Sequence, residues 1–169
     1  AIGSKNILNV GCHIDGANLK IGLGAINMDV VDYDAIGKKQ LPVDIVHDIR
    51  NPLPQELISK FDCIVMGDML EHMTKEGAVK ALRVAKSSLY NGGKIVITCP
   101  NDTRPLNIQY YDGNAVRQGD EQLPGIYYGH ERQIPREELA DIVFAAGLEV
   151  VDVQELDYTY FGGFGMVCQ

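Results

Sequence analysis

Glycines and carboxylates in this chain stand where apolar runs stop. Leu8-Asn9-Val10 ends at Gly11, Ile26-Asn27-Met28 at Asp29, Ile45-Val46-His47 at Asp48, and Cys63-Ile64-Val65-Met66 at Gly67 and Asp68. At strand ends, such residues line the crevice where open α/β sheets bind ligands. Gly11 lets backbone approach a ligand closely, and the amides of Cys12 and His13 are expected to face that crevice. Asp29 falls eighteen residues after Gly11, a spacing at which a carboxylate accepts hydrogen bonds from both hydroxyls of a ribose. A turn or helix-cap role is its plain alternative, and Asp32 and Asp34 are rivals. Asp48 either bonds an exocyclic amine of adenine or closes an Asx-turn ahead of Pro52. The series points to a nucleotide-like ligand.

Two histidines are candidates for proton transfer near neutral pH. His72 closes Leu70-Glu71-His72 after the fourth apolar run, where a histidine at the start of a helix is the simpler reading. His130 closes Tyr127-Tyr128-Gly129-His130, and its alternative is a surface-loop histidine. Asp62 sits at the beginning of its run, away from the ligand edge, and reads as structural. The cysteines Cys12, Cys63, Cys99 and Cys168 share no short spacing. They make neither a zinc motif nor an obvious disulfide framework, so no metal is expected, and reduced, mostly buried thiols in a cytoplasmic protein are the expectation.

The elements that must position these groups alternate in type, which argues for an α/β fold with a mostly parallel sheet. Strands are expected at Asn6–Val10, Ala25–Asp29, Val43–His47, Phe61–Met66, Lys94–Cys99 and Leu148–Val153. A seventh is expected over Tyr158–Cys168, broken by Gly162-Gly163. Continuous apolar runs suit strands covered on both faces. A helix is expected over Thr74–Tyr90, with Ala78, Leu82, Ala85 and Leu89 on one face, Thr74 as cap and Asn91-Gly92-Gly93 as stop. A second is expected from Pro135 to Ala146, with Leu139, Ile142, Val143 and Ala146 as its stripe and Gly147 past its end.

The 169 residues suit one domain, and 46% of them are hydrophobic. A domain of this size buries roughly 70% of its unfolded surface, enough for an independent core. No apolar run approaches the ~20 residues of a membrane helix, and no secretion signal is expected from these first residues. Net charge is −8, and the fifteen basic residues are dispersed, which disfavours nucleic acid as a partner. The stretch from about 100 to 134 is rich in proline, glycine and tyrosine. A connection that long is read as a lid or substrate-contacting insertion.

In this order the motifs resemble those of class I S-adenosylmethionine-dependent methyltransferases. Leu8-Asn9-Val10-Gly11-Cys12 is similar to the family's first motif, Ile26-Asn27-Met28-Asp29 to its ribose-binding strand, and His47-Asp48-Ile49 to the segment beside adenine. Phe61-Asp62 through Leu70-Glu71-His72 is similar to its fourth strand and "LEH" ending. Leu89-Tyr90-Asn91-Gly92-Gly93-Lys94 resembles the glycine turn before strand five, and His130-Glu131-Arg132 through Leu139, then Ala146-Gly147-Leu148, the last helix and the strand after it. The resemblance implies a Rossmann-like seven-stranded sheet of order 3-2-1-4-5-7-6, strand seven antiparallel, with helices on both faces. It also implies S-adenosyl-L-methionine as cofactor, held by Asn9, Gly11, Cys12, His13, Asp29, Val30, Asp48, Ile49 and Gly67.

The implied reaction is in-line methyl transfer to a small-molecule or glycan-like acceptor. Alignment carries most of such a rate, with a base needed only for a protonated acceptor. His13 stands where the family places its second loop glycine, and Asn9 where it places an acid. A side chain at position 13 either crowds the methionine end of the cofactor or bonds its carboxylate. A non-catalytic relative that only binds the cofactor is therefore the alternative. A nicotinamide-dependent oxidoreductase is a third reading, opposed by the missing G-x-G-x-x-G run.

Overall fold

The computed structural model describes residues 6–12, 24–30, 43–101, 134–157 and 162–169. These segments contain β1 (Ile7–Val10), β2 (Ile26–Asp29), β3 (Ile45–Val46), β4 (Phe61–Gly67), α1 (Lys75–Ser88), β5 (Leu89–Asn101), α2 (Arg136–Ala145), β6 (Val150–Asp157) and β7 (Gly162–Cys168). The strands form one sheet in the order β3-β2-β1-β4-β5-β7-β6. β1 to β5 pair in parallel, and β7 runs antiparallel to both β5 and β6. This is the expected topology. His13, His130, Asp32, Asp34, Tyr158 and residues 102–133 of the expected insertion lie outside the described residues.

Side chains alternate across a strand, so the register sorts the sheet into two faces. One face carries the rows Leu8–Ile64–Ile95–Cys168 and Val10–Met66–Ile97–Met166. All eight belong to the contiguous hydrophobic core, together with Ala78, Ala81, Leu82 and Ala85 of α1 and Leu139, Ile142 and Val143 of α2. Both helices therefore lie on this face. The Arg83 guanidinium donates to the Ala145 carbonyl at 2.8 Å, and the Lys86 ammonium donates to the Gly147 carbonyl. The opposite face carries the row Asn27–Asn9–Val65–Val96–Val167.

Helix α1 begins as its sequence predicts, with the Thr74 hydroxyl accepting the Gly77 N–H at 3.1 Å. It ends two residues earlier than expected, at Ser88, and β5 starts at once with Leu89 beside Phe61. The register then jumps to Cys63 beside Lys94, so Tyr90–Gly93 bulge out of the ladder. A Cβ on Gly93 would come within 3.1 Å of the Phe61 and Tyr90 carbonyl oxygens, so the backbone would have to give by a few tenths of an ångström. Asn91-Gly92-Gly93 thus shapes the first turn of a strand rather than the stop of a helix.

Two other expectations need correction. The third strand is shorter than Val43–His47, because the Asp44 carboxylate takes the Asn27 N–H at 2.8 Å in place of a backbone carbonyl. Gly162-Gly163 does not break the last strand: it opens β7, opposite Asn101 and Pro100. Asp62 is structural, as expected. Its carboxylate accepts the Asn6 N–H at 3.3 Å and ties the start of β1 to β4.

Candidate functional site

The chain order places the site. From β1 the connections step one way to β2 and β3 and the other way to β4 and β5. The carboxyl ends of β1 and β4 flank this reversal, where open α/β sheets bind ligands. Gly11, Asp29, Asp48 and Gly67 all stand on this edge, at or just past the ends of β1, β2, β3 and β4.

Gly11 takes a left-handed conformation, φ +69°, which only glycine adopts without strain. Its N–H donates to the Met28 carbonyl at 2.9 Å, and the Cys12 N–H donates to the same oxygen at 3.4 Å. The expectation that the Cys12 amide faces the crevice is therefore corrected: the turn spends it on the neighbouring strand. A Cβ on Gly11 would meet Met69 Cβ at 3.1 Å and Sδ at 3.3 Å. Met69, from the turn after β4, lies directly against this glycine.

Asp29 is buried, with its Oδ1 accepting the Val30 N–H at 2.7 Å and its carbonyl accepting the His47 N–H at 2.8 Å. The buried Cys12 thiol lies within range of the Asp29 charge. Burial first, and then the Asp29 charge, push the thiol's pKa up to about 12, so Cys12 is a neutral thiol and not a nucleophile. Val30, the next residue, is 58% exposed. A fixed carboxylate beside an open apolar side chain matches the two parts of an adenosine, hydroxyls and aromatic base.

Asn9 sits a layer deeper, inside the sheet. Its amide donates to Asn27 Oδ1 at 3.0 Å, and its own Oδ1 is buried with no hydrogen bond among the described residues. Asp48 adopts the Asx-turn arrangement: Oδ1 accepts the Arg50 N–H at 2.9 Å, and the Arg50 guanidinium clasps both oxygens at 2.8–3.1 Å. Those hydrogen bonds hold its carboxyl below the usual range. The Ile49 side chain is part of the core.

At the other end of the row, Gly67 pairs with Thr98, and the following Asp68 has φ +46°. The Asp68 N–H donates to the Thr98 carbonyl at 3.0 Å and to its Oγ1 at 3.2 Å, while the Thr98 hydroxyl donates to Asp68 Oδ1 at 2.8 Å. Left-handed non-glycine backbone held by surrounding bonds is a feature of functional edges. His72 lies in the 3-10 turn Leu70–His72 that leads into α1, its N–H donating to the Met69 carbonyl.

Sequence reasoning missed Met69, Asn27 and the Asp68–Thr98 pair. The only prior signal for the last was a polar residue at the end of each of two adjacent strands. Among the described residues, no group of three or more His, Cys, Asp or Glu is placed to hold a metal ion, and no helix is long and apolar enough to cross a membrane.

No protein-family model matches the sequence, and neither does any curated protein. Solved structures do match. The 1,6-didemethyltoxoflavin-N1-methyltransferase of Burkholderia thailandensis, solved with 1,6-didemethyltoxoflavin and S-adenosylhomocysteine, is 16% identical, with TM-score 0.63 over 96% of this chain and 69% of that one. A SAM-dependent methyltransferase of Archaeoglobus fulgidus is 17% identical, with TM-score 0.64 over 98% of this chain and 86% of that one. The cyclase SpnF is 17% identical, with TM-score 0.65 over 99% of this chain and 75% of that one. What is shared at these identities is the fold: a Rossmann-like sheet, order 3-2-1-4-5-7-6, common to SAM-dependent methyltransferases.

Proposed function

We propose that this chain binds S-adenosyl-L-methionine along the carboxyl edge of β3, β2, β1 and β4 and directs its methyl group to a small-molecule acceptor. The observation that carries the reading is the Asp29 carboxylate. Its Oδ1 is held by the Val30 N–H, one strand over from the left-handed Gly11 at the switch point of this topology. In this reading Asp29 takes the ribose hydroxyls, Val30 and the backbone at Asp48-Ile49 border the adenine, and Gly11 and Gly67 border the methionine half.

When bound, the cofactor supplies an electrophilic methyl group on a sulfonium. The chain's own part is to hold and orient, since alignment carries most of the barrier reduction in such a transfer. No described side chain is needed as a base unless the acceptor arrives protonated, in which case His72 and His130 are the candidates. The acceptor is a small molecule or a glycan-like compound, and the segment at about 100–134 is proposed to contact it.

A binding-only protein is the second reading. A neighbour named as a cyclase carries the same sheet, so fold and methyl transfer are separable. Calorimetry with S-adenosylmethionine and S-adenosylhomocysteine tests the shared premise, and absence of binding at millimolar concentration ends both readings. Asp29→Ala is expected to weaken binding more than tenfold, about 1.4 kcal/mol. Consumption of S-adenosylmethionine with an acceptor panel separates the enzyme from the binder.

A further inference from the structure

We propose that Met69 sets how large a group the cofactor's sulfonium can carry, an inference that rests on the adenosine reading above. The sheet fixes the direction of the ligand. Asp48 ends β3, Asp29 ends β2, Gly11 ends β1 and Gly67 ends β4, and these strands are neighbours in that order. Adjacent strands lie ~4.8 Å apart. A ribose held at β2, with its base toward β3, therefore carries its 5′ substituent toward β1. The sulfur would then come about one strand spacing on, near Gly11, and Met69 stands there with Cβ and Sδ 3.1 and 3.3 Å from where a Gly11 side chain would begin.

Met69 is held in place by its backbone. The preceding Asp68 is left-handed, φ +46°, and three hydrogen bonds to Thr98 secure it. The side chain also packs against the hydrophobic core, so it has a wall behind it. A methionine in such a place is adaptable and unbranched, with a polarizable sulfur. It tolerates a sulfonium methyl and resists a longer substituent by occupying the same space.

The experiment is calorimetric binding of S-adenosylhomocysteine, S-adenosylmethionine and its S-ethyl homologue to the full chain and to Met69→Ala, Met69→Leu and Met69→Phe. In the unaltered chain the ethyl homologue is expected to bind about tenfold or more weaker than the methyl compound, the usual discrimination for one methylene in a tight pocket. Met69→Ala should shrink that ratio at least about fivefold, and Met69→Leu, similar in volume, should keep it. Met69→Phe moves the other way, weakening the methyl compound relative to S-adenosylhomocysteine, so the inference has a readout in each direction.

Variants that bind S-adenosylhomocysteine but keep the wild-type ratios overturn the role of Met69 and leave the cofactor reading standing. An unaltered chain that binds none of the three takes down the cofactor reading and the inference together.

Discussion

Neighbouring residues on the same strands build two unlike surfaces. Val10, Met66, Ile97 and Met166 form one row across four strands and pack under two helices in the continuous core. One residue earlier on β1, Asn9 faces the other way and bonds Asn27 across the strand pair. Val65 beside it is buried, and Val96 is half-buried. The first surface is held by apolar burial, which sets strand position without preferring a direction. The second contains a directional amide pair just below Gly11 and Asp29. Among the described residues, one sheet thus carries the helix-covered core on one face and the amide pair below the carboxyl edge on the other.

Ile97 and Val96 are consecutive, so they test the separation with the backbone held constant. Ile97→Ala is expected to lower the free energy of urea unfolding by about 2–5 kcal/mol, the cost of a cavity in a packed core. Val96→Ala should cost about 1 kcal/mol or less, near the centre of the distribution for point changes. Equal losses would erase the distinction between the faces.

Asn9→Ala comes next in size. It removes the hydrogen bond to buried Asn27 Oδ1, and about 1 kcal/mol is expected for a lost buried hydrogen bond. Urea midpoints measure the loss, and a change of only a few tenths would make the pair a bystander. The sharper outcome is a moderate stability loss with S-adenosylhomocysteine binding weakened further, because β1 and β2 carry Gly11 and Asp29.

The apolar face was legible in the sequence and the polar edge only partly so. Alternating strand and helix signals placed all seven strands, since long runs such as Phe61–Met66 leave periodicity little choice. Asp29 was found at the end of its strand by the same logic. What escaped depended on neighbours distant in sequence. The Cys12 amide turns to Met28, Asp44 substitutes a side chain for part of a strand, and Asp68 locks to Thr98 thirty residues away. Spacing cannot show a bond whose partner is brought up only by the assembled sheet. Met69 escaped for another reason: a methionine beside a run of apolar residues reads as core, and it does pack against the core while also meeting Gly11.

The smallest expected effect concerns the rim of the polar edge. Arg50 clasps Asp48 and holds its carboxyl below the usual range. A depressed carboxyl pKa in the folded chain means that the pair's stabilisation is present above the unfolded value, near pH 4. It is lost as pH falls through the folded value. The Arg50 side chain is about half exposed, so screening limits the gain to about 1 kcal/mol or less. Asp48→Asn keeps an oxygen for the Arg50 N–H and removes the charge. The unaltered chain should therefore unfold at a higher urea concentration than Asp48→Asn at pH 7, with the gap closing below about pH 4 and narrowing in added salt. A gap that persists at pH 2 would place the effect in the turn rather than in the ion pair. A gap rivalling that of Ile97→Ala would mean that the rim stabilises the chain as strongly as the core, and the two surfaces would no longer divide the work.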